Sequence, residues 1–285
     1  MSLILLDQLS LPGDAAKPNE DAFAHLDHAA LVLDGATPLG PSLLPGASDA
    51  AWIAQFGARR LAAHLKDGDV PQEALKHALA DAEKSFAGLT REPIREKWQT
   101  PCASLMLAVE QGKDSQKSEI EFLWFGDCAA IVEQDGKIET VGETLEKRQA
   151  EAARARMVAQ MANMSAASGI NRPQIEPLLR AARNRINSGR NWLFSPDVRA
   201  AGHVSRHHLS LQKDALLLIA SDGFLALVSD YGAYSIQALM AAAVAKGLAA
   251  LGAELRAIED QDPLGEKFPR FKKSDDATAV LLRVA

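Results

Sequence analysis

Carboxylates recur in this chain beside apolar, strand-like runs at five well-separated points. They are Asn19-Glu20-Asp21, Leu33-Asp34-Gly35, Phe125-Gly126-Asp127, Ala220-Ser221-Asp222-Gly223 and Ser274-Asp275-Asp276-Ala277-Thr278. A carboxylate at the mouth of a buried strand is costly unless something compensates it. Several such groups in one place repel, and one is driven to hold a proton. A divalent cation resolves both problems. Hard ions such as Mg²⁺ and Mn²⁺ take oxygen ligands and often keep waters. The pattern therefore predicts a metal-binding carboxylate cluster in an enzyme that uses metal-bound water.

Such a cluster needs strands that end at one edge. Apolar runs predict strands over 2–8, 29–33, 104–109, 120–125, 129–132, 137–141, 215–220 and 278–284. The polar stretch from Glu110 to Glu119 reads as a loop. Asp135-Gly136 between two of these runs is a hairpin signal. Ser48 is a capping residue for a helix to about Leu65, and Pro71 opens a second to about Phe86. Helix-favouring composition predicts further helices from Leu145 to about Met164 and from Pro173 to about Ile186. A long alanine-rich helix follows from Ser235 to about Ile258, broken near Gly247 or Gly252. Strands come in adjacent groups as well as singly. That favours an antiparallel sheet system with packed helices over strict βαβ alternation.

The 285 residues suit one large domain, with the Ala/Arg-rich stretch from Thr144 to Arg190 as a helical insertion. A hydrophobic fraction of 47% and a net charge of −6 describe a globular chain without the basic footprint of nucleic-acid binding. No apolar run reaches the ~18 residues a membrane span needs. The segment Met1 to Asp7 reads as a strand, not a signal peptide. Two cysteines, Cys102 and Cys128, make no disulfide framework, so a reducing cytoplasm is the expected home. A monomer or weak dimer is expected.

In order, the chain carries Asn-Glu-Asp-Ala, Asp-Gly, a Thr-x-x-Ala strand start at Thr100, Gly-Asp-Cys, Ser-Asp-Gly and Asp-Asp-x-Thr. This series, from about Asn19 to Leu282, resembles the metal-dependent protein serine/threonine phosphatases of type 2C, the PPM family, in a divergent bacterial-type form. The resemblance implies an α+β fold, a four-layer αββα sandwich of two antiparallel β-sheets flanked by helices. It implies two Mn²⁺ or Mg²⁺ ions and a weaker third. Asp34 would bridge two ions, and the Gly35 carbonyl would contact one. Asp222 and Asp275 would complete the other, with Asp127 and Asp222 serving the third. Glu20 and Asp21 would hold waters at the ions, and Thr100 would support the site. Catalysis would rest on Asp34, Asp222, Asp275 and Glu20. A water activated between two ions would attack phosphorus directly, with no covalent phosphoenzyme. The substrate would be a phosphorylated protein. The alternatives are a small phosphometabolite or, with no turnover, phosphoprotein capture by a pseudophosphatase.

The chain departs from that family in several places. Ala36-Thr37-Pro38 stands where many members have His-Gly-Gly. Lys17 replaces the arginine that contacts the substrate phosphate, and Lys is the less directional ligand. Ala129 follows Cys128 where an arginine is common, and Asp276 takes a usual asparagine position. His203, His207 and His208 read as strand or surface histidines, with a phosphate contact as the alternative. The run Lys267, Arg270, Lys272 and Lys273 reads as a solvated basic loop or an attractor of anionic substrate. Arg148, Arg154, Arg156, Arg180, Arg183 and Arg185 read as a solvated helix face or a substrate-selecting flap. Cys128 reads as a small buried apolar residue.

Overall fold

Where both faces of an antiparallel sheet are covered, its strands become continuous apolar runs. Such runs dominate this chain, and they build two sheets packed face to face. The computed structural model describes residues 2–112, 117–143, 172–268, 270 and 272–285. The strands are β1 (Leu3–Leu11), β2 (Asp21–Leu26), β3 (Ala29–Gly35), β4 (Ala103–Gln111), β5 (Lys117–Phe125), β6 (Ala129–Gln134), β7 (Lys137–Gly142), β8 (Ser205–Gln212), β9 (Leu216–Ala220) and β10 (Ala277–Val284). One sheet has the order β1-β10-β9-β6-β7 and the other β2-β3-β4-β5-β8, and every pairing is antiparallel. Val32, Met106, Phe122, Cys128, Ile219 and Val280 fill the space between the sheets.

Helices cover both outer faces. On the β2–β8 sheet lie α1 (Asp49–Lys66) and α2 (Pro71–Leu89), whose Ile53, Leu61, Leu75 and Leu79 pack with Leu31, Leu33 and Leu105. A third helix, α3 (Arg172–Arg183), follows. On the β1–β7 sheet lie α4 (Asp222–Ser229), α5 (Ile236–Lys246) and α6 (Leu248–Gln261), with Phe224, Leu239, Leu251 and Leu255 packed on Ile131, Leu218 and Leu281. The architecture is thus the expected α+β sandwich, helix–sheet–sheet–helix. No helix among the described residues is long and apolar enough to cross a membrane.

Register gathers the carboxylates. Asp21 faces Asp34 across β2 and β3, and Asp34 faces Ser104 across β3 and β4. In the other sheet Ala220 faces both Ala279 and Ala129. Antiparallel neighbours bring the end of one strand beside the start of the next. So Asp34, Asp127 and Asp222, which follow or close strands, share an edge with Asp21 and Asp275, which open or precede them.

Several elements differ from expectation. β2 and α4 are additional, and so is β8, whose polar, mostly exposed pattern hides an edge strand. The polar stretch after Val109 is not all loop, because β4 runs through Gln111 and β5 starts at Lys117. The helix from Arg172 stops at Arg183, before Ile186. The alanine-rich helix breaks at Gly247, whose φ of 82° suits glycine. Asp135 and Gly136 both take positive φ, as their hairpin requires. The helix expected from Leu145 to Met164 lies outside the described residues.

Gly35 joins β3 to the helical layer. A Cβ there would stand 2.5 Å from the Ala50 carbonyl oxygen and 2.6 Å from that of Glu20. Backbone on both sides cannot yield cheaply. Gly35→Ala is expected to lower unfolding free energy by about 1–3 kcal/mol. Urea denaturation of the two proteins measures this, and an unchanged midpoint would mean the β3–α1 contact is slack.

Candidate metal centre

Asp34 near the end of β3, Asp127 in the turn after β5 and Asp222 at the start of α4 converge. One carboxylate oxygen from each lies within 4.8 Å of the others. Asp127 is held from the side: Ser104 Oγ donates to its Oδ1 at 2.6 Å. The turn that delivers it needs Gly126, whose φ is +67° and whose missing Cβ leaves room for the Ser104 hydroxyl.

Asp21 stands behind this group and is only 4% exposed. Its Oδ2 accepts from Ser221 Oγ at 2.8 Å. Ser221 is itself fixed, since its Oγ accepts from the Thr278 N–H at 3.0 Å and its own N–H donates to the Thr278 carbonyl at 2.9 Å. The Oδ1 of Asp21 is buried and has no hydrogen-bond partner. A buried oxygen of that kind carries a desolvation cost unless a cation or water meets it. An all-oxygen donor set with one such orphan suits a hard divalent cation.

Around the cluster, other carboxylates hold loops. Glu20 accepts from Thr37 Oγ1 at 2.7 Å and from Ser48 Oγ at 2.6 Å. Ser48 also caps α1 by accepting from the Ala51 N–H. One glutamate therefore ties the segment after Gly35 to the start of α1. Asp276 accepts from the backbone N–H of Gly13 and of Glu20, each at 2.6 Å. It fixes the β1–β2 connection against the β10 approach, a role the sequence did not disclose. The Gly35 N–H donates to the Glu20 carbonyl at 2.9 Å.

The cations are arranged differently from expectation. Lys17 is exposed and paired with Asp14 at 3.4 Å across a turn. The basic run divides: Arg270 pairs with Asp262 at 2.9 Å and Lys273 with Asp260 at 2.6 Å, whereas Lys272 pairs with Asp275. Lys272 Nζ also lies 3.4 Å from Thr37 Oγ1. Arg180 and Arg183 are not a solvated face. Arg183 donates to the Thr37 carbonyl at 2.8 Å, and Arg180 donates to the Leu39 carbonyl at 2.6 Å while lying 4.1 Å over the Trp98 ring. They brace the loop that carries Ala36-Thr37-Pro38. No sequence signal links these arginines to a loop about 140 positions away. Arg148, Arg154 and Arg156 lie outside the described residues.

Thr100 is not brought into the cluster. It lines a cavity of about 310 Å³ with Lys97, Cys102, Arg183, Ser195 and Arg199, and none of the five clustered aspartates lines that cavity. The Ala36 N–H donates to the Cys102 carbonyl between the two regions. The histidines are remote: His207 pairs with Glu139 at 3.1 Å, His208 lies 3.8 Å from Glu121, and His203 stacks on Trp192. Cys102 and Cys128 are both free and buried.

No protein-family model matches the chain, and no curated protein matches it in sequence. Solved structures do. The catalytic domain of the serine/threonine protein phosphatase PstP, in complex with two manganese ions, aligns over 100% of both chains with a TM-score of 0.56 and 16% identity. The PPM Ser-Thr phosphatase MsPP from Mycobacterium smegmatis, in complex with cacodylate, aligns over 99% of this chain and 100% of its own, at 0.55 and 16%. The photosystem II phosphatase PBCP aligns over 99% of each chain, at 0.53 and 14%. The fold is that of the PP2C phosphatases.

In this PP2C fold the carboxylates sit under mutual stress. Burial, then the charges of Asp21, Asp222, Asp127 and Asp275, hold the Asp34 carboxyl well above the ordinary range. Burial does the same to Asp21. The Ser221 hydrogen bond works against it, and Asp275, Asp276 and Asp222 reinforce it. Burial disfavours the Lys272 ammonium, but Asp275, Asp34 and Asp222 outweigh it and raise the lysine. Without metal, the folded protein thus binds protons that the unfolded chain, with aspartates near 3.8, has released. This contribution to stability is present below the unfolded value and is lost as pH rises through the folded one. Metal-free protein is expected to lose stability from these groups as pH rises above about 4. Asp34→Asn should raise the urea midpoint in chelator at neutral pH and change it little near pH 4. A midpoint that falls at neutral pH would contradict the electrostatic reading.

Proposed function

We propose that this chain is a metal-dependent phosphomonoester hydrolase acting on phosphorylated protein at serine or threonine. The observation that carries the reading is the convergence of Asp34, Asp127 and Asp222 beside the orphaned Oδ1 of Asp21, on a PP2C fold. Asp34, Asp222, Asp275, Asp127, Asp21 and the Gly35 carbonyl would hold Mn²⁺ or Mg²⁺. When bound, such ions act as Lewis acids on a phosphoryl group and activate water at neutral pH.

The protein's own residues supply position and charge. Ser104 and Ser221 fix the orientation of Asp127 and Asp21 by single short hydrogen bonds. Glu20 acts through Thr37 and Ser48, holding the loop beside Asp34 in register with α1. Lys272 is set on the cluster through Asp275, and we assign to it the attraction of the substrate phosphate that the sequence suggested for Lys17. An ammonium suits this role as a point charge, without the bidentate directionality of Arg. A full set of carboxylates favours turnover over phosphoprotein capture, since capture alone has little need of paired cations.

Hydrolysis of para-nitrophenyl phosphate and of a phosphothreonine peptide, with Mn²⁺ and then with chelator, tests the reading. Wild type is expected to turn over both, and chelator to abolish turnover. Asp34→Asn should lose about 10³-fold in kcat, the scale of several kcal/mol expected from losing cation stabilisation. Turnover of a small phosphometabolite in strong preference to the peptide would replace the protein-substrate reading. Mn²⁺ binding without any turnover would replace the hydrolase reading. Lys272→Gln should raise KM for the phosphopeptide several-fold more than Lys17→Gln does. Equal effects would remove the assignment of Lys272.

A further inference from the structure

We infer that His64, Asp69 and His77 form a second cation site, for Zn²⁺, at the corner between α1 and α2. His64 lies in the last turn of α1, and the chain then turns through residues 67–70 into α2. Backbone bonds fold that turn back on the helix: the Asp69 N–H donates to the His64 carbonyl at 3.1 Å, and Gly68 takes a φ of +98°. Asp69 is thereby brought over His64, while His77 arrives two turns into α2. One potential ligand atom from each of the three lies within 4.8 Å of the others.

The ring nitrogens are what point to a metal. The Nδ1 atoms of both histidines address the same carboxylate oxygen, Asp69 Oδ2, at 3.4 Å from His64 and 2.7 Å from His77. The opposite nitrogens also meet carboxylates. His64 Nε2 lies 2.8 Å from Asp81 Oδ2, and His77 Nε2 lies 4.0 Å from Glu73 Oε2. Asp81 is braced by Arg60 at 2.6 Å. With neutral rings, His77 Nδ1–H meets Asp69 and His64 Nε2–H meets Asp81, so the His64 Nδ1 lone pair is left facing Asp69 Oδ2 at 3.4 Å with no proton between them. Protonating both rings instead would place two imidazolium ions with centroids 5.3 Å apart, and these repel. A cation among the two Nδ1 lone pairs and Asp69 relieves both conflicts. His64 then keeps its Nε2–H directed outward to Asp81, which is how metal-bound histidines are usually oriented.

Distance and donor type agree. Ligands at 2.0–2.2 Å from a tetrahedral Zn²⁺ stand about 3.3 Å from one another, so small side-chain shifts from the observed spacings suffice. Two imidazoles and one carboxylate suit a borderline ion, whereas the aspartate cluster suits a hard one. The 18 residues of α1 span roughly 27 Å and separate this corner from Ser48, which sits by the aspartate cluster. The ion would clamp the helical hairpin that covers the outer sheet face, away from the phosphoryl chemistry.

Calorimetric Zn²⁺ titration in an Asp34→Asn, Asp222→Asn background tests this, because zinc captured by the aspartate cluster is then suppressed. One equivalent is expected, and Co²⁺ in its place should give tetrahedral visible absorption. His77→Gln and Asp69→Asn, both at partly exposed positions, should weaken binding at least 100-fold with circular dichroism unchanged. Asp81→Asn, which acts on the His64 ring, should weaken it about 10–100-fold. Zn²⁺ should raise the melting temperature of the background protein and leave that of its His77→Gln form unmoved. Absence of the equivalent, or an equivalent indifferent to both His77→Gln and Asp69→Asn, would reduce the cluster to ion pairs and overturn the inference.

Discussion

Asp21, Asp34, Asp127 and Asp222 repel one another, and the structure around them holds them together in spite of it. Repulsion in a partly dry setting is what gives such a cluster affinity for divalent ions, because the ions relieve a stress already present. Relief is useful only if the carboxylates cannot escape by rotating or splaying. The antiparallel register fixes their backbones, and the Ser104 and Ser221 hydroxyls fix their side chains. Rigid surroundings and an unstable occupant are two sides of one arrangement.

Much of this was legible in the residues because it lay in apolar continuity. Strands such as β4 and β9 are covered on both faces, so they read as unbroken hydrophobic runs, and each carboxylate at their ends stands out. β8 escaped because only alternate side chains, Leu209 and Leu211, reach the core, while Arg206 and His208 on its other face meet Glu121. β2 escaped because its residues are mostly half-buried. The short helix α4 starts on Asp222 itself, so the motif concealed the element.

The supporting residues were harder to see for a physical reason. A clustered carboxylate advertises itself by a costly position, whereas a serine hydroxyl or a braced loop has no such signature. Thr37 illustrates this. Its hydroxyl meets Glu20, its carbonyl meets Arg183, and Lys272 approaches it from a third element. Three segments distant in sequence thus converge on the loop that departs most from the phosphatase pattern. The brace from α3 gives that loop a defined path without the glycines common there.

Asp276 lies 256 positions from Glu20 and 263 from Gly13, yet it binds the backbone of both. The pairing of β1 with β10 closes the same long circuit. Such distant closure costs little in final stability, since loop entropy grows only logarithmically with length, but it slows folding. A chain emerging from the ribosome can complete the sheet β2-β3-β4-β5-β8 before β10 exists. It cannot complete the aspartate cluster until Asp275, Asp276 and the strand after them have emerged. The cluster is therefore completed only once β10 has emerged, and a nascent chain carries the β2–β8 sheet before its aspartates are gathered.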